Sequence, residues 1–373
     1  MEKIRLGDVV EISNGFAFKS KNYTNNGIRI IRIANVQKGY IEDTSPVFYP
    51  KNSKGIERYM LKKDDLLVSL TGNVGRVAIL NEKFLPAALN QRVACLRVKT
   101  NKITKDYLFH FLNSNYFEQQ CISASKGVAQ KNISTKWLRT CEIPLYPKEK
   151  QFKIGEILGK LRNIKEAKMQ EIEQLNEMVK ARFVEMFGTY PGNEKGWETG
   201  TIRDLVTDVH YGSSRKAAKG IEGRYPYLRM NNITYSGELD LTDVKTINIP
   251  DKELDKCTVQ KGDLLFNRTN SKELVGKTCV YNKDDQMVLA GFIIRVRLND
   301  RALPEFVSTF LNTDFSKNML ANMCKTAIGQ ANINAQEMQN IGIYIPPTSL
   351  QKEFCSFKSD VNKSKFALIN DIL

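Results

Sequence analysis

The sequence predicts a mixed α/β fold: two similar domains separated by two long antiparallel helices, related as a pseudo-two-fold internal repeat. Three observations lead there. One ordered set of short motifs occurs twice along the 373 residues. Each copy contains strand-sized apolar runs bounded by Gly, Asn and Pro. Each copy then closes in a stretch with apolar residues at helical spacing.

The repeat comes first because it sets the domain plan. Leu6-Gly-Asp-Val-Val10 returns as Ile202-Arg-Asp-Leu-Val206, and Arg32-Ile-Ala-Asn-Val36 as Arg229-Met-Asn-Asn-Ile233. Lys62-Lys-Asp-Asp-Leu-Leu67 returns as Gln260-Lys-Gly-Asp-Leu-Leu265, and Phe111-Leu-Asn113 as Phe310-Leu-Asn312. Gln130-Lys-Asn-Ile-Ser134 matches Gln330-Ala-Asn-Ile-Asn334, and Pro147 with Gln151 matches Pro347 with Gln351. The order never breaks, so a few loop insertions account for the drift in spacing. The predicted plan is a first domain over 1–147, a long helix over 148–188, a linker over 189–196 whose Gly and Pro residues punctuate the chain, a second domain over 197–347 and a closing helix over 348–373.

Within the first domain, Ile28–Ile33, Leu66–Leu70 and Val93–Val98 are expected strands, and Tyr107–Gln120 carries Leu108, Phe111, Leu112 and Phe117 at helical spacing. The second domain repeats this with Ile293–Val296 and Phe306–Met319. Gln151–Phe187 then runs without proline and with high helix propensity. Ile157, Leu161, Ile164, Lys168, Ile172, Leu175, Val179, Phe183 and Met186 recur in steps of three and four. Leu161, Ile172 and Phe183 are eleven apart, close to the period of an unperturbed helix, so a nearly straight helix of roughly 55 Å is expected. Its one-sided stripe, with Leu161, Ile172, Leu175, Val179 and Phe183 as the seam and subunit-docking positions, needs a partner. The repeat supplies Gln351–Leu373, with Phe354, Phe357, Val361, Leu368 and Ile369, and the expected arrangement is an antiparallel pair with one domain at each end. Two helices folded back on their own domains are the alternative. Leu373 aligns with Glu173 of the first copy, so the second helix is expected to be the shorter.

Composition bounds the partner. Lys and Arg number 56 against 41 Asp and Glu, a formal charge of +15, which favours a polyanion over a neutral ligand. No apolar run approaches the ~20 residues needed to span a bilayer. The first residues lack the apolar core of a secretory signal, so a soluble cytoplasmic protein without membrane contact is expected. The seven cysteines contain no Cys-x-x-Cys pair, which argues for reduced thiols rather than a disulfide or zinc framework.

Catalytic signatures are missing. The two histidines, His110 and His210, have no histidine partner at metal-ligand spacing. Ser271-Lys-Glu-Leu-Val-Gly-Lys-Thr278 ends like a phosphate loop, but Ser271 stands where the tight turn needs glycine, and the segment lies between two expected strands. No Asn-Pro-Pro-aromatic or Asp-Pro-Pro-aromatic motif for amino-group methylation is present, nor a Gly-x-Gly turn for a nucleoside cofactor. A non-catalytic chain with no metal or cofactor of its own is expected.

Taken together, these motifs resemble the specificity (S) subunits of type I restriction–modification enzymes, along essentially the whole chain. Each repeat closes as a proline-rich strand leading to a glutamine that opens a helix: Ile143-Pro-Leu-Tyr-Pro-Lys-Glu-Lys-Gln151 and Ile343-Tyr-Ile-Pro-Pro-Thr-Ser-Leu-Gln351. Each also carries the acidic-Leu-Leu strand and loop, Asp65-Leu-Leu-Val-Ser-Leu-Thr-Gly-Asn-Val-Gly75 and Gly262-Asp-Leu-Leu-Phe-Asn-Arg-Thr-Asn270, and a Gln-x-Asn-Ile segment. The resemblance implies a DNA reader with two target-recognition domains, each taking half of a split target. It also implies helices that dock methyltransferase (M) subunits, two of them in the full arrangement, and restriction (R) subunits. S-adenosylmethionine, ATP and Mg would sit on those partners.

The domains share their framework and differ in their loops, so an asymmetric double-stranded DNA target is expected. Asn14-Gly-Phe-Ala-Phe-Lys-Ser-Lys-Asn22 stands opposite Tyr211-Gly-Ser-Ser-Arg-Lys-Ala-Ala-Lys219. Lys19, Lys21, Arg215, Lys216 and Lys219 are the candidate phosphate or base contacts. Asn35, Asn231 and Asn232, with Gln130 and Gln330, are candidates for adenine edges. Turn capping is the alternative for Asn35 and Asn232, since features common to both halves belong to a shared frame. The competing function is a stand-alone DNA- or RNA-binding regulator, which leaves the helix stripe and the proline–glutamine junctions unexplained.

Overall fold

The computed structural model describes residues 2–125, 131–217, 223–327 and 330–371. Two compact units divide the chain, Met1–Glu166 and Ala167–Leu373.

In the first unit the strands of the two larger sheets are β1 (Val10–Asn14), β2 (Ile28–Ile31), β3 (Phe48–Tyr49), β4 (Leu66–Ser69), β5 (Val77–Ile79), β6 (Ala87–Leu89) and β7 (Val93–Val98), and Lys3–Arg5 pairs with Glu142–Pro144 beside them. An antiparallel sheet runs in the order β1-β7-β4-β5, and a smaller sheet in the order β3-β2-β6. All four residues of β4 are buried, because both faces of its sheet are covered. Leu66 and Val68 point into a core shared with Leu108, Leu112 and Phe117 of the helical layer, whereas Leu67 points the other way, against Ile31 and Leu89 of the smaller sheet. The two-residue period of a strand thus distributes one apolar run between two cores.

The helical layer is α1 (Lys105–Leu112) and α2 (Asn115–Ala124), not the single helix expected over Tyr107–Gln120. The Ser114 side chain accepts from the Phe117 amide and starts a second helix where the apolar spacing alone continues the first. α3 (Lys148–Phe187) opens in this unit and ends in the next.

The second unit repeats the first. The strands of its two four-stranded sheets are β8 (Val206–Tyr211), β9 (Tyr225–Leu228), β10 (Lys245–Ile247), β11 (Thr258–Val259), β12 (Leu264–Asn267), β13 (Thr278–Val280), β14 (Met287–Leu289) and β15 (Ile293–Leu298). The order β8-β15-β12-β13 matches that of the first large sheet, and β10-β9-β14-β11 forms the smaller one. The helices that match α1, α2 and α3 are α4 (Pro304–Leu311), α5 (Asp314–Met323), begun by Thr313 as α2 is by Ser114, and α6 (Thr348–Asn370).

Matched polar devices hold each copy. Arg97 donates to Asp65 at 2.7 and 2.6 Å, and Arg297 to Asp263 at 2.8 and 3.5 Å. The same aspartates accept from the Lys62 and Gln260 amides, both at 2.8 Å, closing the turn into β4 and β12. The glutamines of the proline–glutamine junctions are completely buried. Gln151 accepts from the Thr104 amide and donates to the carbonyls of Lys102 and Tyr146. Gln351 likewise accepts from Leu303 and donates to Arg301 and Pro346. Each glutamine therefore ties the start of a long helix to the loop before α1 or α4.

The helix seam described by the structure lies within the second unit. Inside the second unit, the end of α3 packs antiparallel on α6: Arg182 pairs with Glu353, Lys365 donates to Asn176, and Lys168 pairs with Asp371. Val179 and Phe183 are buried there, Leu175 packs against the same core, and Ile172 is half-buried. The Phe183 ring lies 5.2 Å from Phe354 and 5.6 Å from Phe306. Leu161 and Ile164, in the first unit, are 57% and 53% exposed. Within the second unit α6 faces α3 from Arg182 to Lys168, and the buried stripe positions are those it meets there.

Candidate nucleic-acid interface

In each unit the large sheet ends in four converging segments. In the first these are Asn14–Phe16 after β1, the turn Asn90–Arg92 between β6 and β7, the loop Leu70–Asn73 after β4, and Lys131–Ile133. In the second they are Tyr211–Ser213, Ala290–Phe292, Arg268–Ser271 and Gln330–Ile333. Main-chain hydrogen bonds fix both sets alike. The Leu70 amide donates to Arg92 and the Arg268 amide to Phe292, both at 2.9 Å; Ile133 donates to Leu70 and Ile333 to Arg268, again at 2.9 Å. Phe16 donates to Leu89 at 2.8 Å and Ser213 to Leu289 at 2.7 Å. The approach is close enough to demand glycine. A Cβ on Gly15 would sit 2.2 Å from the Asn90 oxygen, and one on Gly212 2.3 Å from the Ala290 oxygen.

The side chains on this common frame differ. Asn14, Leu70, Gln91 and Arg92 stand where the second unit has Tyr211, Arg268, Gly291 and Phe292. Gln91 and Arg92 are exposed, and their side chains have no polar partner among the described residues. In the second unit Tyr211 and Phe292 are 42% and 48% exposed. The Arg268 guanidinium lies 4.7 Å from the Tyr211 ring centroid, and its Nη2 donates to Asn332 Oδ1 at 3.2 Å. Asn332 in turn donates to Thr269, and the Tyr211 hydroxyl accepts from the Ala335 amide. Cations and exposed aromatics on rigid turns supply what phosphates, base edges and base faces require.

The sequence-predicted residues scatter around this site. Lys19 and Lys21 are exposed on the turn between Phe16 and Tyr23, without an ion-pair partner among the described residues, and Lys216 is exposed likewise. Gln330 lies exposed at the sheet end, in the segment Gln330–Asn332. Asn231 is exposed beside its buried neighbour Asn232. Gln130 and Lys219 lie outside the described residues.

Asn35 and Asn232 are corrected from adenine readers to caps. Asn35 accepts from the Arg32 amide at 2.9 Å and donates to Glu42 and Asp43; Asn232 accepts from Arg229 at 2.8 Å and donates to Asp240 and Asp243. Both are buried, so neither amide edge is free for a base. Arg215 is engaged as well: its fork holds Glu253 at 2.7 and 3.1 Å, and that hydrogen bond raises its pKa and lowers that of Glu253. Reading by Arg215 therefore requires exchange of an ion pair.

Gln91, Arg92, Tyr211, Arg268 and Phe292 belong to none of the repeated motifs' matched residues and are not singled out by residue type. The available signal was the contrast of Leu89-Asn-Gln-Arg-Val93 with Leu289-Ala-Gly-Phe-Ile293, a variable centre between matched apolar flanks.

The lysine of the phosphate-loop-like segment, Lys277, is buried and donates to the Met230 and Ile233 carbonyls, and burial lowers its pKa. Burial pushes the thiols of Cys121, Cys141, Cys279 and Cys355 up to about 12, far from a thiolate at neutral pH. Among the described residues no three His, Cys, Asp or Glu side chains converge to hold a metal, and no helix is long and apolar enough to cross a membrane.

A family model described as the type I restriction modification DNA specificity domain matches residues 1–176 and again 194–373. The chain is 25% identical to the type I restriction enzyme EcoKI specificity subunit of Escherichia coli (strain K12), over 93% of this chain and 79% of that relative. It is 24% identical to the StySPI specificity subunit of Salmonella potsdam, over 93% and 79%. The S subunit of a type I restriction-modification system from M. genitalium has a similar fold, with a TM-score of 0.53 at 13% identity, covering 100% of this chain and 91% of that one.

Proposed function

Because the chain belongs to the type I restriction–modification DNA specificity family, we propose that it reads a bipartite, asymmetric target in double-stranded DNA, one half with each unit. It is the non-catalytic specificity subunit; catalysis lies with methyltransferase and restriction partners. The observation that carries the split target is the pair of sheet ends: one main-chain frame, built twice, bearing different side chains. Identical readers would call for a palindrome, whereas Arg92 and Gln91 on one frame, and Arg268, Tyr211 and Phe292 on the other, call for unlike halves.

Two methyltransferase subunits are the proposed complement, one for each half of the repeat. The exposed apolar residues on the first half of α3, Ile157, Leu161 and Ile164, support a protein partner there. S-adenosylmethionine, ATP and Mg are assigned to the partners, this chain binding none of them, and the assembly works in the cytoplasm. Lys19, Lys21 and Lys216 hold phosphates in this reading.

The test is binding of the chain, with its methyltransferase partner, to duplexes over a salt series, together with mapping of methylated adenines in the host genome. Log affinity is expected to fall with log salt by about 0.9 per neutralised phosphate, and the methylated sites to share one split, non-palindromic motif. A palindromic motif, or salt-insensitive binding, would sink the proposal.

A further inference from the structure

We propose that the base specificity of each half-site is set at the sheet end: by Arg92 and Gln91 in the first unit, and by Arg268, backed by Tyr211 and Phe292, in the second. This rests on the reading above and assigns its residues. The chemistry follows from the donors. A guanidinium fork matches the O6 and N7 acceptors of guanine, and a glutamine amide matches N6 and N7 of adenine. We therefore assign a guanine to each half-site, with an adenine next to the guanine of the first.

Geometry favours Arg268 as a reader over a loose phosphate contact. Its guanidinium is stacked on Tyr211 and pinned by Asn332, so little side-chain freedom remains to be lost on binding. Nη1 has no partner among the described residues and completes the fork with the second hydrogen of Nη2. Phe292, whose carbonyl accepts from the Arg268 amide, presents an exposed ring at the same sheet end, suited to a thymine methyl or an unstacked base. At the corresponding position the first unit has Leu70, buried in the core, and the cation moves instead to Arg92 in the turn between β6 and β7. Two different solutions on one backbone mark positions that carry information, in contrast to Asn35 and Asn232, which are identical and structural.

The experiment uses the full chain with its methyltransferase partner and three variants: Arg268→Lys, Arg268→Gln and Arg92→Ala. Cognate duplexes, duplexes changed at one base pair, and scrambled duplexes are compared at several salt concentrations, and methylated sites are mapped. Arg268→Lys keeps the charge but loses the fork. Expected is a loss of about 10- to 100-fold for the cognate duplex, little change for scrambled DNA, and relaxed preference at one base pair of one half only. Arg268→Gln should shift that preference rather than erase binding, and Arg92→Ala should relax the other half alone. Arg92 is exposed, so its variant tests the idea even if position 268 proves sensitive to folding. Retention of full preference by Arg268→Lys, or an equal loss on cognate and scrambled DNA with the salt slope reduced by about one in Arg268→Gln and Arg92→Ala, would make these residues phosphate contacts and overturn the assignment. Absence of any sequence preference in the unaltered complex is a separate outcome, which refutes the function and not merely the choice of residues.

Discussion

Gln351→Met is the sharpest probe of how the long helices are anchored. Methionine nearly matches glutamine in length and volume, so the substitution removes hydrogen bonds without opening a large cavity. Three bonds go: from the Leu303 amide at 2.8 Å, to the Arg301 carbonyl at 3.0 Å and to the Pro346 carbonyl at 2.8 Å. The site is fully buried, so water does not replace them. An orphaned buried group costs about 1–3 kcal/mol, with carbonyls at the lower end, which gives about 3–5 kcal/mol in total. In a unit of about 200 residues each kcal/mol lowers Tm by about 2–4 °C, so a fall of roughly 6–20 °C is expected. Thermal unfolding of the full chain by circular dichroism reads the shift, and hydrogen exchange at the Leu303 amide reads its location. A fall below about 2 °C with that amide still protected would refute the anchoring role. Gln151→Met should act the same way on the first unit, with Thr104 as the reporting amide.

Phe183→Ala should cost about 3–5 kcal/mol, because its ring is buried among Phe187, Phe306 and Phe354, whereas Leu161→Ala should change urea stability by less than about 0.5 kcal/mol. Gly212→Ala should abolish recognition of the second half-site while leaving the first intact, read as methylated motifs, since its Cβ would strike the Ala290 carbonyl. Burial, reinforced by Lys180, pushes Lys317 down to about 8 against partial compensation by Asp314. Between that pH and 10.5 the unfolded chain holds a proton the folded chain lacks, so this residue makes stability rise with pH. Lys317→Met should flatten that rise in urea midpoints taken at pH 7.5 and 10; an unchanged slope would exclude Lys317 as its source.

Much of the architecture was legible because it rests on local pattern. The repeat, the strand β7 and the long helix follow from spacing alone. The break between α1 and α2 was not, since apolar spacing continues through it and only the Ser114 cap divides the helices; Thr313 does the same in the second unit. The proline–glutamine junction was visible as a motif, but its reason lies in carbonyls some 50 residues away in sequence. The site followed the same rule. The loop lysines were readable as exposed cations, whereas the Arg268, Tyr211 and Asn332 cluster joins three separated segments and exists only once the sheet has formed. Asn35 and Asn232 misled as possible readers because an amide that caps a turn and one that reads adenine are the same residue in a sequence.

The sheet-end frame also bears on how such a protein acquires new targets. Its hydrogen bonds run from main chain to main chain, and a peptide group donates and accepts whatever side chain it carries. Positions 91, 92 and 292 can therefore drift with little penalty in folding, while Gly15 and Gly212 cannot move at all. After a duplication the two copies start with the same preference and are free to part by single substitutions, each viable on the way. A protein of this design diverges in what it recognises far faster than in how it folds, and its stability places no brake on the search.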